Sequence, residues 1–412
     1  MTLPEPVRRL PLDDLSHLAE VVGDARVVAI GENNHHIREF GLLRERLLRF
    51  LVTELGFGVL AYESGFAEGH LVDAWIRGGP GDVAAVARDG FTFRFGDAVE
   101  VRDLLRWLRE HNTGGGRVRF AGLDVPGSGG CALPALRLVR EHLAAHAPDQ
   151  VSFVDAAIEA TRSYAAANNS AAAARYAALS GAERDVATAA LSRLLLRLDA
   201  IRSEESATAR HLALGALRLD EHMREIAELR EIAELVDPQA PVLMPSSRDV
   251  HQADTVRWLR ERTDERIVLM MHNGHAQRVP VQLLPGVRIR SAGSCLAAEL
   301  GNDYVVLGVT AGSGSTTDVR LDDRARQGFE VISRPLGPLA EDSVEHAAAA
   351  DDEPVLLDLR PARGLAGPAM IRHAATHVPV DVPAAFDGLI CLPTMSPSSF
   401  AVAEGGADGA RA

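Results

Sequence analysis

RVVAIGENNHHIREF (residues 26–40), a stretch of helical spacing, and then ELGFGVLAYESGF (residues 54–66) decide the fold. Arg26–Gly31 is a short Val/Ala/Ile run closed by glycine, the pattern of a strand covered on both faces in a parallel sheet. Across Arg38–Thr53, Phe40, Leu43, Leu47, Phe50 and Leu51 recur at helical spacing, with Arg44, Arg46 and Arg49 among them. A second apolar run, Phe57–Tyr62, ends on Glu63. Strand, polar loop, helix and strand make a βαβ unit. Ligands of open α/β sheets bind beyond the carboxyl ends of the strands. The first strand delivers Glu32, Asn33, Asn34, His35 and His36 to that edge, and the second delivers Glu63.

Further strand signals lie outward from this unit. RVRFAGLDV (residues 117–125) ends on Asp124 and its neighbour, and RIVLMM (residues 266–271) runs into His272-Asn273-Gly274-His275. DYVVLGV (residues 303–309), Leu356–Leu359 and FDGLICL (residues 386–392) read as later strands. Between Cys131 and Thr263, Ala and Leu dominate and only the helical period persists. The fold class expected is therefore α/β: a mostly parallel central sheet flanked by helices, with a large helical insertion. Residues 1–130 form the first half of the core, 131–263 the insertion, 264–400 the second half, and 401–412 a disordered Gly/Ala-rich tail. Residues 1–25 read as a lead-in helix. The tandem REIAEL at Arg224–Leu229 and Arg230–Leu235 extends one helix, Pro238, Pro241 and Pro245 interrupt the pattern, and Ser246 or Ser247 caps the next helix.

Composition narrows the functions. The chain has 412 residues, 47% of them apolar, ample for a large core. A net charge of −14 argues against nucleic-acid or anionic-membrane partners. The first residues lack the apolar segment of a signal peptide, and no run approaches the roughly 20 residues that span a bilayer. Cys131, Cys295 and Cys391 are scattered, so a reducing, cytoplasmic setting is expected. No lysine is present: all 43 Lys/Arg positions are arginine. That excludes a Walker A loop, a pyridoxal Schiff base, a lysine aldolase and a Ser–Lys hydrolase, each of which needs the amine.

Four apolar runs end on ionisable groups: Glu32/His35, Glu63, Asp124 and His272/His275. A lone strand-end acid such as Asp124 is as easily a helix cap, but four coinciding strand ends make one crevice. A histidine oriented by a carboxylate is a general base for water or a hydroxyl. Two histidines with two carboxylates can alternatively hold a metal, although the HExxH motif is absent. There is no GxSxG elbow, and no cysteine sits at a strand end beside a histidine. Direct attack by an activated water or hydroxyl, with arginine stabilising an oxyanion, is the chemistry left, and no metal or other cofactor is expected.

The same residues resemble the erythromycin esterase family. Its first motif, GExTHGxxEF, is similar to Gly31-Glu32-Asn33-Asn34-His35-His36-Ile37-Arg38-Glu39-Phe40. The helix with Arg44, Ala61-Tyr62-Glu63, Val72–Gly79 (VDAWIRGG), Glu100 ahead of an LLxWLR-like run, Gly122-Leu123-Asp124, Arg248-Asp249 followed by Trp258, His272-Asn273-Gly274-His275, Gly293–Gly308 and Phe386–Ile390 follow in the family's order, nearly end to end. The resemblance implies an α/β core with a helical insertion and hydrolysis of macrolide lactones. It also implies a metal-free mechanism in which His35 activates water, with Glu32, Arg44, Glu63, His272 and His275 as the other catalytic positions. His36, Asn34, Asp124 and Glu100 are candidate substrate-binding residues. Asn34 stands where the family has Thr, and His36 where it has Gly; an imidazole there changes the pocket's shape, adds a second proton-transfer group, or points outward. The expected reaction is opening of a small hydrophobic ester or lactone, with Arg44 or a histidine on the oxyanion and His272 or His275 protonating the alkoxide. Biosynthetic tailoring by the same base and metal or haem sequestration are the alternatives.

Overall fold

In this computed structural model, residues 2–201, 203–235, 242–348 and 353–400 are described. The expected tail, Pro238 and Pro241 lie outside them. The main sheet has nine strands: β1 (Arg8–Pro11), β2 (Val27–Ile30), β3 (Phe57–Gly65), β4 (Arg119–Asp124), β5 (Arg266–Met270), β6 (Tyr304–Leu321), β7 (Phe329–Pro335), β8 (Val355–Asp358) and β9 (Gly388–Met395). Their order is β1-β8-β9-β6-β2-β5-β3-β4, with β7 also pairing with β6. The run from β9 to β4 is parallel throughout, while β8, β1 and β7 pair antiparallel at the periphery. The α/β class and the mostly parallel sheet are as expected.

β2 sits in the middle, which is why its four residues show no polar alternation: all are fully buried. Successive side chains point to opposite faces. Val28 and Ile30 join the cluster holding Phe40, Leu47, Leu48 and Leu51 of α1 (Arg38–Thr53). Val27 and Ala29 join the cluster on the other face.

The N-terminal stretch departs from the helix expected over residues 1–25. It forms β1 and a short helix, Ser16–Val22. Only Leu10 of β1 is buried, and the strand stops at Pro11, a residue suited to a sheet edge. β6 is also longer than the expected DYVVLGV: it runs on through a Gly/Ser/Thr-rich stretch, in which Thr316 and Thr317 are buried, to an exposed end at Val319–Leu321 and returns as β7.

The insertion comprises helices Leu133–His146, Val151–Thr161, Asn169–Ala177, Gly181–Ala200 and the long α2 (Ala207–Leu235), which contains both REIAEL copies. It has its own apolar cluster, including Leu136, Val139, Leu191, Leu194 and Leu219. Helix α3 (Ser247–Arg260) falls within the expected 131–263 span, yet Ala253, Val256 and Leu259 pack in the sheet's cluster. Ser246 caps α3, its hydroxyl accepting from Asp249 N at 3.3 Å.

Candidate active site

The carboxyl ends of β2, β5 and β3 are laced together before any reactive group is placed. Gly31 N donates to Leu307 O at 2.8 Å, and Asn273 N donates to Glu32 O at 2.8 Å. A Cβ on Gly31 would meet Asn273 Oδ1 at 2.0 Å, so the packing of these two loops requires glycine there. The β3–β4 register shifts between Tyr62 and Gly65, a bulge that re-aims the strand at Glu63.

One wall of the crevice comes from the β2 loop and α1. Glu32 Oε1 lies 2.8 Å from His35 Nδ1, and Glu32 Oε2 pairs with Arg44 Nη1 at 2.7 Å. Burial pushes the Glu32 carboxyl up, but Arg44 and His35 outweigh it and hold the group below its ordinary value. An ionised Glu32 accepts from His35 Nδ1–H, leaving Nε2 as the basic nitrogen. Arg44 Nη2 donates to the Ile30 and Met271 carbonyls, each at 3.2 Å, tying this wall to the β2 and β5 ends.

The opposite wall draws on β3, β4, α3 and the β5 loop. Arg248 Nη2 donates to Glu63 Oε1 at 3.0 Å and to Asp124 Oδ2 at 2.6 Å, while its Nε donates to Asp124 at 3.0 Å. Glu63 Oε2 accepts from His272 N at 2.6 Å. His275 Nδ1 lies 2.7 Å from Asp249 Oδ1 and His275 Nε2 lies 3.3 Å from Glu63 Oε1. Burial opposes charge on His275, but Asp249 and Glu63 outweigh it and raise the imidazole to about 8. The two carboxylates thus favour the imidazolium at neutral pH against burial and against Arg248, whose Nη1 lies 3.3 Å from His275 Nε2. Burial would raise Glu63 too; His275, His35 and Arg248 hold it far below the ordinary carboxylate range.

His272 stands between the walls with both ring nitrogens committed. Its Nδ1 accepts from Gly274 N at 3.0 Å, which puts the proton on Nε2, and Nε2 donates to Asn33 O at 3.0 Å. Burial, with His373 and His35 nearby, holds it well below its ordinary value. Its ring centroid is 5.5 Å from that of His35, 6.5 Å from His275 and 4.6 Å from His373.

Exposure sorts which groups can touch a ligand. The side chains of His35, His275 and Arg248 are 28%, 19% and 14% exposed, against 4% for Arg44 and 5% for Glu32. The Arg44 guanidinium, for which an oxyanion role was one expectation, is enclosed and bonded to Glu32 and two carbonyls. Both nitrogens of His272 are spent on backbone groups, whereas those of His275 face side chains: Nδ1 meets Asp249, and Nε2 lies 3.3 Å from both Glu63 Oε1 and Arg248 Nη1.

Of the four expected substrate-binding residues, His36 and Glu100 line a narrow cavity of about 30 Å³ together with Glu32, Arg44 and Tyr62. Asp124 is fully buried beneath Arg248. Glu100 is buried in the helix Val99–Thr113, against Gly41. Asn34 Nδ2 donates to Thr316 Oγ1 and Thr317 O, both at 2.8 Å, and so anchors the loop to β6. His36 has a φ of 59°, the left-handed region glycine prefers, and its buried ring packs between Phe95 (5.3 Å) and Phe400 (5.6 Å). Burial, then His35, pulls its imidazole down to about 3, so it is uncharged near neutrality. Arg248 and Asp249 were visible as the start of a helix and as an Arg-Asp pair in the family's order, but nothing in their spacing linked them to residues 63 and 275. His373 gave no signal.

Beside His275 and Arg248 opens a cavity of about 270 Å³. Ile226 and Leu229 of α2, Met244, Pro245 and Ile289 give it apolar walls. Among the described residues, no three His, Cys, Asp or Glu side chains are grouped so as to hold a metal ion, and no helix is long and apolar enough to cross a membrane.

The family description "Erythromycin esterase" matches residues 52–395. Erythromycin esterase type II of Escherichia coli is 29% identical over 400 residues, covering 94% of this chain and 93% of the relative. Erythromycin esterase type I of the same organism is 24% identical over 406 residues, covering 95% and 96%. Among solved structures, the erythromycin esterase EreC, a mutant in its open conformation, superposes with a TM-score of 0.79 at 21% identity, covering 95% of this chain and 96% of that one. A succinoglycan biosynthesis protein superposes with a TM-score of 0.73, also at 21% identity, covering 95% and 93%. With the family's match running across both halves of the sheet and the insertion between them, this chain is a member of the erythromycin esterase family.

Proposed function

We propose that the protein hydrolyses an ester or lactone of a hydrophobic, macrolide- or polyketide-type substrate. His35 Nε2 takes a proton from water, and the resulting hydroxide oxygen bonds to the acyl carbon. The tetrahedral oxyanion is stabilised by the positive charge of Arg248 and His275. The acyl–alkoxy C–O bond then breaks, and the leaving alkoxide takes its proton from His275. The product is heavier by one water, and proton exchange with solvent restores both imidazoles. Glu32 and Asp249 orient the two histidines, Arg44 and Asp124 position their partners, and Glu63 helps keep His275 charged.

One observation carries this reading: two His–carboxylate pairs, at 2.8 Å and 2.7 Å, flank His272 in one crevice with both histidines partly exposed. A base and an acid are then poised on either side of a reacting centre. The apolar cavity beside His275 supports a hydrophobic substrate, and the names of the relatives support ester hydrolysis.

The test is mass spectrometry of products from a panel of macrolide and polyketide lactones, with a chelator control. A gain of one water, a fall of about 10³-fold in kcat/KM for His35→Ala, and indifference to chelator are expected. Full activity in His35→Ala, or products of unchanged mass, would overturn the proposal.

A further inference from the structure

His373 reaches the crevice from a part of the chain that the mechanism above leaves unused. It sits in a two-stranded hairpin, Met370–His373 with Thr376–Pro379, outside the main sheet. The hairpin's tip is fastened to the catalytic loop: Ala374 N donates to Asn33 O at 3.0 Å, the same carbonyl that takes His272 Nε2–H. Ala374 adopts a φ of 51°, which turns the chain back immediately after the histidine. That anchor holds the His373 ring edge-on to His272 at 4.6 Å, with 65° between the ring planes.

The three imidazoles around His272 differ in how their nitrogens are engaged. His35 and His275 each give Nδ1 to a carboxylate. His373 is an exposed residue against which no carboxylate is placed. Partial desolvation of its ring against the crevice, with His35 and His275 nearby, pulls it below its ordinary value, so at neutral pH it offers one N–H donor and one nitrogen acceptor. A neutral imidazole at a rim is suited to hydrogen-bonding an uncharged oxygen such as a carbonyl, ring ester or hydroxyl.

We propose that His373 is a substrate-binding residue, presented by the Met370–Pro379 hairpin to hydrogen-bond an oxygen of the bound ester or lactone beside the reacting acyl group. It rests on the hydrolytic reading above for the substrate's class. Binding of this kind acts on ground state and transition state alike, so it moves KM and leaves kcat in place.

The experiment is steady-state kinetics of His373→Ala and His373→Gln on any lactone the wild type turns over. His373→Ala should raise KM about tenfold, the loss of one neutral hydrogen bond, with kcat and the shape of the pH profile kept. His373→Gln, which retains a donor and an acceptor, should recover part of the loss. Kinetics of His373→Ala within about twofold of wild type, or a fall confined to kcat, would overturn the assignment. Calorimetric binding of the panel to His35→Ala, with and without His373→Ala, reports without turnover. Weaker binding in the double variant upholds His373 even if no lactone is hydrolysed, in which case only the hydrolytic reading falls. Equal binding, or binding of no lactone to either protein, overturns the inference.

Discussion

The two walls of the crevice are made from the same parts but arranged to opposite effect. Each has a histidine whose Nδ1 meets a carboxylate, and each has an arginine paired with buried carboxylates. On the His35 wall, one carboxylate serves both: Glu32 faces His35 with one oxygen and Arg44 with the other. On the His275 wall the carboxylates outnumber the arginine. Asp249 and Glu63 both face His275, while Arg248 is shared between Glu63 and Asp124. The surplus of negative charge is what raises His275 to about 8. Counting the partners of each imidazole, rather than naming them, distinguishes the proposed base from the proposed acid.

The largest effect should come from removing the arginine that holds two carboxylates. Arg248→Leu leaves Asp124 without its cation and Glu63 with His275 in place of two partners, both carboxylates being almost wholly enclosed. Breaking a buried pair from one side costs about 3–5 kcal/mol. Arg44→Leu strands only Glu32 and two carbonyls. Urea unfolding at pH 7.5 should therefore rank Arg248→Leu as the more destabilised. If Arg44→Leu proves worse, the account of where negative charge accumulates is wrong.

Asp249→Asn tests the same surplus with a smaller perturbation. Asp249 raises His275, so its neutralisation lowers that imidazole from about 8 toward the ordinary 6.5. The alkaline limb of the kcat/KM profile should move down by about one pH unit, with activity at pH 7.5 falling about threefold. Stability has a defined sign as well. A histidine raised in the fold contributes stability that is fully present below pH 6.5 and lost as pH rises through about 8. In Asp249→Asn, much of that difference between pH 6 and pH 9 should vanish from urea unfolding curves. An unmoved alkaline limb would show that His275 is not the group being titrated.

The unequal legibility of the two walls in the sequence has the same origin. Glu32, His35 and Arg44 lie within 13 positions on one strand–loop–helix unit, so periodicity alone brings them together. The other wall joins Glu63, Asp124, Arg248 and His275, which come from β3, β4, α3 and the β5 loop. Strand ends announced the first, second and fourth. Arg248 begins a helix after a proline-interrupted stretch, where an Arg-Asp pair looks like ordinary surface charge near a cap. Only the strand order puts it over Glu63. The nine-stranded sheet was legible where strands are buried on both faces, as in β2 and β5, and poorly legible at β1 and the exposed end of β6. Edge strands carry too few apolar residues to show their period. His373 was invisible for a related reason: a short hairpin outside the main sheet is placed by bonds to distant segments, among them Ala374 N to Asn33 O and Arg372 N to Glu345.

The smallest effect belongs to the neighbour of the proposed base. His35 and His36 are adjacent, yet His36 meets no carboxylate and lies between two phenylalanine rings. Replacing it by glycine relieves a left-handed residue, a gain of about 1 kcal/mol, and removes buried ring packing, a loss of about 1–3 kcal/mol. Stability at pH 7.5 should therefore change little, and kcat should stay within about threefold because no proton-transfer group is removed. The difference emerges in acid. The unfolded chain protonates His36 near pH 6.5, whereas the fold resists protonation down to about 3. Stability is thus lost as pH falls through that window. His36→Gly lacks this term, so between pH 7.5 and pH 4.5 it should lose about 2–3 kcal/mol less than wild type in urea unfolding. Parallel losses in the two proteins would mean that His36 is not held neutral. A hundredfold fall in kcat would instead bring a third imidazole into the proton inventory of the His35 wall.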